Sequence, residues 1–140
     1  DQSANTAFDC FMAKRNDVEL FDDATDVLST LSKRYLLAAI TNGNADVHKT
    51  SLGRYFSFAL RADQVGVAKP DAAIFNMAIT QAETTADHCV HIGDSIENDV
   101  EGAINAGIRA IWFDPDGRDY SGATTVTALS ELPAALERLV

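Results

Sequence analysis

Cysteine is scarce in this sequence, and long apolar runs are absent from it. The 140 residues include two cysteines, Cys10 and Cys89, which are too few for a disulfide framework and lack the spacing of a metal-binding motif. No run approaches the roughly 18 apolar residues of a membrane span, and the first residues do not resemble a secretory signal peptide. These features predict two reduced thiols in a cytoplasmic protein with no membrane partner.

Positive charge is also in short supply. Eleven lysines and arginines stand against 21 aspartates and glutamates, which gives a formal net charge of -10. A surface that binds nucleic acid or an acidic membrane is therefore not expected. An anionic substrate would need local positive charge from a metal ion, a lysine or backbone N–H groups. The length suits one domain with a single core.

Short apolar runs alternate with helical patterns along the chain. Helical spacing is found at about 3–14, from Asp22, at 45–51, from Pro70, from Ile96 to Gly107 and from Ser130. The apolar runs predict strands at 35–41, 56–60, 89–93 and 108–113. Such alternation predicts a three-layer α/β/α fold, in which a parallel sheet is covered by helices on both faces.

Polar residues follow two of these predicted strands. Thr41, Asn42 and Gly43 come at the end of one strand, and Asp94 follows another. Ligands of parallel sheets bind beyond the carboxyl ends of the strands, so both groups are expected at one edge. Lys69 precedes a predicted helix and could reach the same edge.

These residue types suit the binding of a cation and a phosphate. Asp94 and Asp99 offer the oxygen ligands that Mg2+ prefers, and Mg2+ usually takes only one or two carboxylates. Turns such as the one after Thr41 bind phosphate oxygens through backbone N–H groups. Lys69 offers a counter-charge for a phosphoryl group. Together these residues make half of a phosphoryl-transfer site.

Three segments, taken in order, resemble a known family. "AITNGN", "GVAKPDAAIF" and "HIGDSIENDVEGAINAG" are similar to the second, third and fourth motifs of the haloacid dehalogenase-like (HAD) hydrolases, and the likeness runs over roughly residues 22–113. The resemblance implies a Rossmann-like core and a small phosphorylated metabolite as substrate. It implies that Thr41, Asn42 and Gly43 bind the phosphoryl group and that Lys69 neutralises negative charge. It further implies that Asp94 ligates Mg2+ and that Asp99 supports the metal shell and Lys69.

The first motif of that family, Asp-x-Asp at the end of an apolar strand, is not found ahead of the second motif, and "DPDG" (Asp114–Gly117), far downstream, is typical of a turn. "FDCF" carries Asp9, but Phe11 stands where the second aspartate belongs, and the preceding "SANTAF" does not read as a buried strand. In the family the first aspartate is the nucleophile that forms an aspartyl-phosphate. The start of the chain without Met adds to the impression of a truncated or processed protein. We therefore expect the C-terminal part of a HAD core at 22–140, with residues 1–21 as the tail of a helical cap and linker. The first strand and most of the cap would lie in an N-terminal segment of the same protein.

Several alternatives remain open at this point. The resemblance favours a Mg2+-dependent phosphatase, because dehalogenases of the family lack the Gly-Asp pair found at Gly93 and Asp94. The segment "AITNGNADV" most resembles the corresponding segment of bacterial phosphatases acting on flavin mononucleotide or phosphorylated ribitylaminouracil. Phosphonate hydrolases, phosphosugar mutases and a non-catalytic HAD-fold module are further possibilities. A signalling receiver domain has the same residue types in a different order.

The missing strand has a geometric consequence. By resemblance the nucleophile strand lies between the strands at 35–41 and 89–93, so these two would face each other across a gap of roughly 9–10 Å, twice the usual strand spacing. Unpaired backbone groups along such a slot cost about 1–3 kcal/mol each when buried. The slot is expected either to stay open or to be filled by a foreign segment.

Overall fold

A computed structural model describes the backbone of residues 8–11, 24–42 and 53–139, and the side chains of residues 25–42 and 53–139. The described residues form a six-stranded sheet in the order β3-β2-β1-β4-β5-β6. The strands are β1 (Phe8–Phe11), β2 (Leu36–Thr41), β3 (Phe58–Arg61), β4 (Cys89–Gly93), β5 (Arg109–Phe113) and β6 (Thr124–Val126). Every neighbouring pair is parallel. The predicted parallel α/β fold is confirmed.

Strand β1 occupies the central position of the sheet. Asp9 pairs in register with Leu37 of β2 on one side and with Val90 of β4 on the other. The expected one-strand separation of β2 and β4 is therefore correct, but the expected open slot or foreign filler is wrong. The helix expected over residues 3–14 is likewise wrong at Phe8–Phe11, so these four residues are part of the sheet. Pairing satisfies backbone groups on both neighbours, and this outweighs the weak strand propensity of the segment.

Helices cover both faces of the sheet. They are α1 (Ala24–Ser32), α2 (Ala62–Val65), α3 (Ala72–Ala82), α4 (Gly102–Asn105) and α5 (Leu132–Leu139). A π-helical turn, Ile96–Glu101, leads into α4, and 3-10 turns occur at Gly53–Tyr55, Ala86–His88 and Leu129–Glu131. None of the helices in the described ranges has the length and apolarity that crossing a bilayer requires.

The apolar run of β2 explains how the two faces are filled. Leu37 and Ala39 pack in one core with residues of α1 and α5, whereas Ala38 and Ile40 pack in a second core with residues of α3 and α4. Successive strand residues point to opposite faces, so a continuous apolar run fits a sheet buried on both sides. The candidate site lies at the carboxyl edge of the sheet, beside the second core.

Most predicted element positions agree with the structure, with small differences. Strand β3 begins at Phe58 rather than at 56, and α2 and β6 were not predicted, since runs of three or four residues carry little periodicity. The last α-helix begins at Leu132, after a 3-10 turn that contains Ser130. The predicted helix at 45–51 and the residue Gly43 lie outside the described residues.

Candidate functional site

The site is built where parallel strands β2 and β4 end. Thr41 is the last residue of β2 and Gly93 is the last residue of β4, so both lie at the same edge of the sheet. Thr41 is buried, with 9% of its surface exposed, and Asp94 is half-buried just beyond Gly93. The structure therefore brings the second and fourth predicted motifs to one edge.

Asn42 fixes the loop that carries Lys69. The Asn42 side-chain amide donates to the Lys69 carbonyl oxygen at 2.9 Å, and its oxygen accepts from the Lys69 backbone N–H at 2.8 Å. Asn42 was predicted to bind phosphate, but both ends of its side chain are engaged with Lys69. Its observed role is to hold the Lys69 loop against the end of β2.

Lys69, Asp99 and His91 form a buried charged cluster. The Lys69 Nζ lies 2.7 Å from Asp99 Oδ1, and the His91 Nε2 lies 2.9 Å from the same oxygen. The Lys69 side chain is 1% exposed, and those of Asp99 and His91 are fully buried. The second carboxylate oxygen of Asp99 accepts from the Ser95 backbone N–H at 3.1 Å. Asp99 is thus the counter-ion of Lys69 and the hydrogen-bond partner of His91.

The environment of Asp99 keeps it ionised. Burial alone raises the pKa of a carboxyl, but the hydrogen bond and charge of His91, followed by the charge and hydrogen bond of Lys69, outweigh it and lower the pKa of Asp99 to about 2. A negative charge inside the protein is stable only when it is paired and hydrogen-bonded. The cluster meets that condition.

Gly93 is required by the same cluster. A Cβ built at Gly93 would overlap the Asp99 carboxylate, and at this position the overlapping atoms belong to a side chain that is fixed by its partners. Glycine is therefore the only residue that lets Asp99 approach the end of β4 so closely. This packing explains why Gly-Asp precedes the second aspartate in the sequence.

Asp94 and Asp99 have different surroundings, although both were predicted at the metal. Asp99 has no exposed surface and its oxygens already accept three hydrogen bonds. Asp94 is half-buried at the rim, and its carbonyl oxygen accepts from the Trp112 indole N–H at 3.0 Å. The geometry thus favours Asp94 for direct contact with a metal ion and Asp99 for the support of Lys69.

The donor set is compatible with Mg2+ rather than with a fully protein-built metal centre. Within 24–42 and 53–139, no three His, Cys, Asp or Glu side chains come together as a metal cluster. Mg2+ keeps several water ligands and needs only one or two carboxylates in addition to substrate phosphate. Asp94, half-buried at the rim, provides a carboxylate that fits this pattern.

His91 and Trp112 are the site residues that the sequence did not assign. His91 falls in the strand predicted at 89–93, and that strand is observed. Its contact with Asp99 joins strand β4 to the π-helical turn. The spacing of the two residues along the sequence does not indicate this contact. The His91 ring also packs edge-on against Phe75, with centroids 5.0 Å apart. Trp112 falls in the strand predicted at 108–113, and it is buried in β5, with 2% of its surface exposed.

Asp9 lies well below the site edge. Its register partners are Leu37 and Val90, which precede Thr41 and Gly93 by four and three residues. At about 3.3 Å per residue, Asp9 is therefore about 10–13 Å short of the carboxyl ends of the neighbouring strands. The backbone register does not favour Asp9 as a nucleophile at the edge where Thr41 and Asp94 lie.

Comparison with known proteins gives a consistent family. A sequence profile of haloacid dehalogenase-like hydrolases matches residues 4–107. The 5-amino-6-(5-phospho-D-ribitylamino)uracil phosphatase YigB of Escherichia coli is 35% identical over 116 residues, which are 83% of this chain and 49% of YigB. The phosphoserine phosphatase of Thermus thermophilus is 32% identical over 119 residues, covering 81% of this chain and 48% of the relative. The chain spans about half the length of these relatives.

Solved structures show the same fold. The crystal structure of a 2-haloacid dehalogenase from Pseudomonas syringae pv. tomato matches with a TM-score of 0.83 and 40% identity, over 86% of this chain and 54% of that one. The protein YfnB of Bacillus subtilis, solved bound to magnesium, matches with a TM-score of 0.76 and 26% identity, over 83% of this chain and 55% of YfnB.

Proposed function

Because this chain belongs to the haloacid dehalogenase-like hydrolases, we propose that the intact protein is a Mg2+-dependent phosphatase of a small phosphorylated metabolite. The observation that carries the proposal is the charged site at the carboxyl edge of the sheet. There a buried lysine is held by Asp99 and Asn42, and the half-buried Asp94 follows the end of β4 at the same edge. YigB and the Thermus phosphoserine phosphatase are named for phosphatase activity, and YfnB is bound to magnesium.

The predicted site residues have the following roles in this proposal, in which Gly43 lies outside the described residues. Asp94 holds Mg2+, which when bound neutralises phosphate charge. Thr41, with the backbone of Asn42 and Gly43, binds phosphoryl oxygens at the end of β2. Lys69 adds positive charge at the same edge, and Asp99 keeps the ammonium group in one position. Catalysis of phosphoryl transfer depends mostly on such positioning and charge neutralisation.

We further propose that the nucleophilic aspartate belongs to a segment outside these residues. Support comes from the register of Asp9, about 10–13 Å short of the edge, and from the lack of Asp-x-Asp ahead of Thr41 in the sequence. The Asp-x-Asp at Asp114–Asp116 follows the fourth motif instead of preceding the second, and its Asp114 is bound by Arg118. In the intact protein a nucleophile strand would take the central position between β2 and β4. Residues 1–21 would then form the tail of a helical cap and linker, and residues 22–140 would form the remainder of the core.

Two other functions have specific observations in their favour. The 40% identity to a 2-haloacid dehalogenase favours dehalogenation. The Gly-Asp pair at Gly93 and Asp94 favours a phosphatase instead, because it offers a carboxylate for Mg2+. The lack of an Asp-x-Asp ahead of the second motif favours a non-catalytic module, if the natural protein has no further segment.

A substrate panel tests the proposed function. Flavin mononucleotide, phosphorylated ribitylaminouracil, phosphoserine, a pyrimidine nucleotide and 2-chloropropionate are offered to the intact gene product, with Mg2+ or with EDTA. We expect phosphate release from at least one phosphate ester, lost in EDTA, with a flavin-pathway phosphate preferred. Release of chloride without phosphatase activity would instead assign a dehalogenase, and no release from any compound would favour the non-catalytic module.

A further inference from the structure

Trp112 links strand β5 to the turn that carries Asp94. It pairs in register with Gly93, the residue before Asp94, and its side chain is only 2% exposed. Its indole N–H donates to the Asp94 carbonyl oxygen at 3.0 Å. An indole N–H that is buried without an acceptor would cost about 1–3 kcal/mol, so the ring and the Asp94 peptide hold each other in place.

The ring of Trp112 is itself held from two sides. Tyr120 packs against it edge-on, with centroids 5.4 Å apart, and the Arg118 guanidinium lies 5.3 Å from its centroid. Both arrangements are favourable for an indole ring. The orientation of the indole N–H is therefore fixed by side chains of the β5–β6 connection.

Arg118 is in turn held by Asp114. The guanidinium donates to both carboxylate oxygens of Asp114, at 3.1 and 2.9 Å, and the Arg118 backbone N–H donates at 2.7 Å. The Asp114 side chain is 1% exposed, whereas that of Arg118 is 65% exposed. A forked pair of this kind has a defined geometry. It completes a chain of contacts from Asp114 through Arg118 and Trp112 to the Asp94 peptide.

We propose that Trp112 is a positioning residue for the metal site, which orients the Asp94 carboxylate by fixing its main chain through the indole N–H. The inference rests on the proposed function, since it takes Asp94 as the Mg2+ ligand. On the other side of Asp94 the turn is already fixed, because Ser95 binds Asp99 and caps the π-helical turn by accepting from the Asn98 N–H. Trp112 fixes the turn at Asp94 itself.

The test compares metal binding in the intact gene product and its Trp112→Phe variant. Mn2+ serves as the probe, since it shares the oxygen ligands of Mg2+, and its Kd is measured by calorimetry. Partners outside the ligand shell typically contribute 10–100-fold to metal affinity, so we expect the variant to raise the Kd about tenfold. The Mg2+ concentration for half-maximal activity should rise in parallel, with kcat at saturating Mg2+ within about twofold of wild type.

Phe56→Leu is the matched control, because it trims a buried ring in the core on the opposite face of the sheet. It should lower stability without changing the Kd for Mn2+. A Kd within twofold of wild type in Trp112→Phe, or an equal rise in Phe56→Leu, would overturn the positioning role.

Arg118→Gln decides the question if Trp112→Phe does not fold. In this variant Asp114 keeps the hydrogen bonds from the backbone N–H groups of Asp116 and residue 118, so folding should be retained, and loss of the cation over the indole should raise the Kd about two- to fivefold. An unchanged Kd would overturn the proposal. A wild-type protein that binds no Mn2+ would refute the metal site, and this inference with it. A wild-type protein that binds Mn2+, with an unchanged Kd in the variants, would refute the positioning role of Trp112 alone.

Discussion

Replacing Asp99 by alanine is expected to lower the free energy of unfolding by about 3–5 kcal/mol, because the change leaves Lys69 buried without its counter-ion and His91 without its hydrogen-bond partner. The pair itself adds little compared with apolar packing, but an uncompensated buried charge is costly. Urea unfolding of the 140-residue chain, followed by far-ultraviolet circular dichroism, measures the change. A fully unfolded variant would agree with the same expectation.

Asp63→Ala is the control for Asp99→Ala. Asp63 also pairs with a basic residue, Arg61, at 2.7 Å, but the Asp63 side chain is 45% exposed. Surface pairs contribute little, so this variant should unfold close to wild type. Combining Asp99→Ala with Lys69→Met should cost less than the sum of the two single changes. Equal effects at Asp63 and Asp99 would contradict the buried cluster.

The second large effect is expected at Asp94. In the intact gene product, Asp94→Asn should reduce phosphatase activity at limiting Mg2+ by at least about 100-fold, because residues that only support a ligand already contribute 10–100-fold to metal affinity. Stability should change little, since Asp94 is half-buried at the rim and its main-chain bond to Trp112 is retained. Initial rates over a Mg2+ titration measure the effect.

Glu97→Gln is the matched control for Asp94→Asn. Glu97 is an exposed carboxylate in the π-helical turn that follows Asp94, so it has the same charge and a nearby position. Its removal should leave the Mg2+ dependence unchanged. Activity that survives in Asp94→Asn at limiting Mg2+ would exclude Asp94 as a ligand.

The sequence predicted the sheet edge well because two strong local signals converge there. Continuous apolar runs at β2 and β4 indicate strands buried on both faces, and parallel strands place Thr41 and Asp94 at one edge. The resemblance implied that Asp99 supports Lys69, and the two side chains are in contact, whereas the role of Asp99 at the metal stays a prediction. The contact of Asp99 with His91 was not predicted, because the two side chains come together only in the folded chain.

The central strand shows where local sequence is insufficient. Phe8–Phe11 has a polar Asp9 within it and no apolar run before it, so its own propensity does not indicate a strand. Its place between β2 and β4 is set by backbone groups on both sides that need partners. A similar limit applies to Trp112, whose bond to Asp94 joins residues 18 positions apart.

The most direct test of the central claim is p-nitrophenyl phosphate hydrolysis by the intact gene product and by the 140-residue chain, side by side at saturating Mg2+. We expect EDTA-sensitive turnover by the intact product and none by the 140 residues, because they contain no Asp-x-Asp ahead of the second motif and Asp9 lies below the site edge. Turnover by the 140-residue chain that is lost in Asp9→Ala would contradict a nucleophile outside these residues and would make Asp9 the nucleophile.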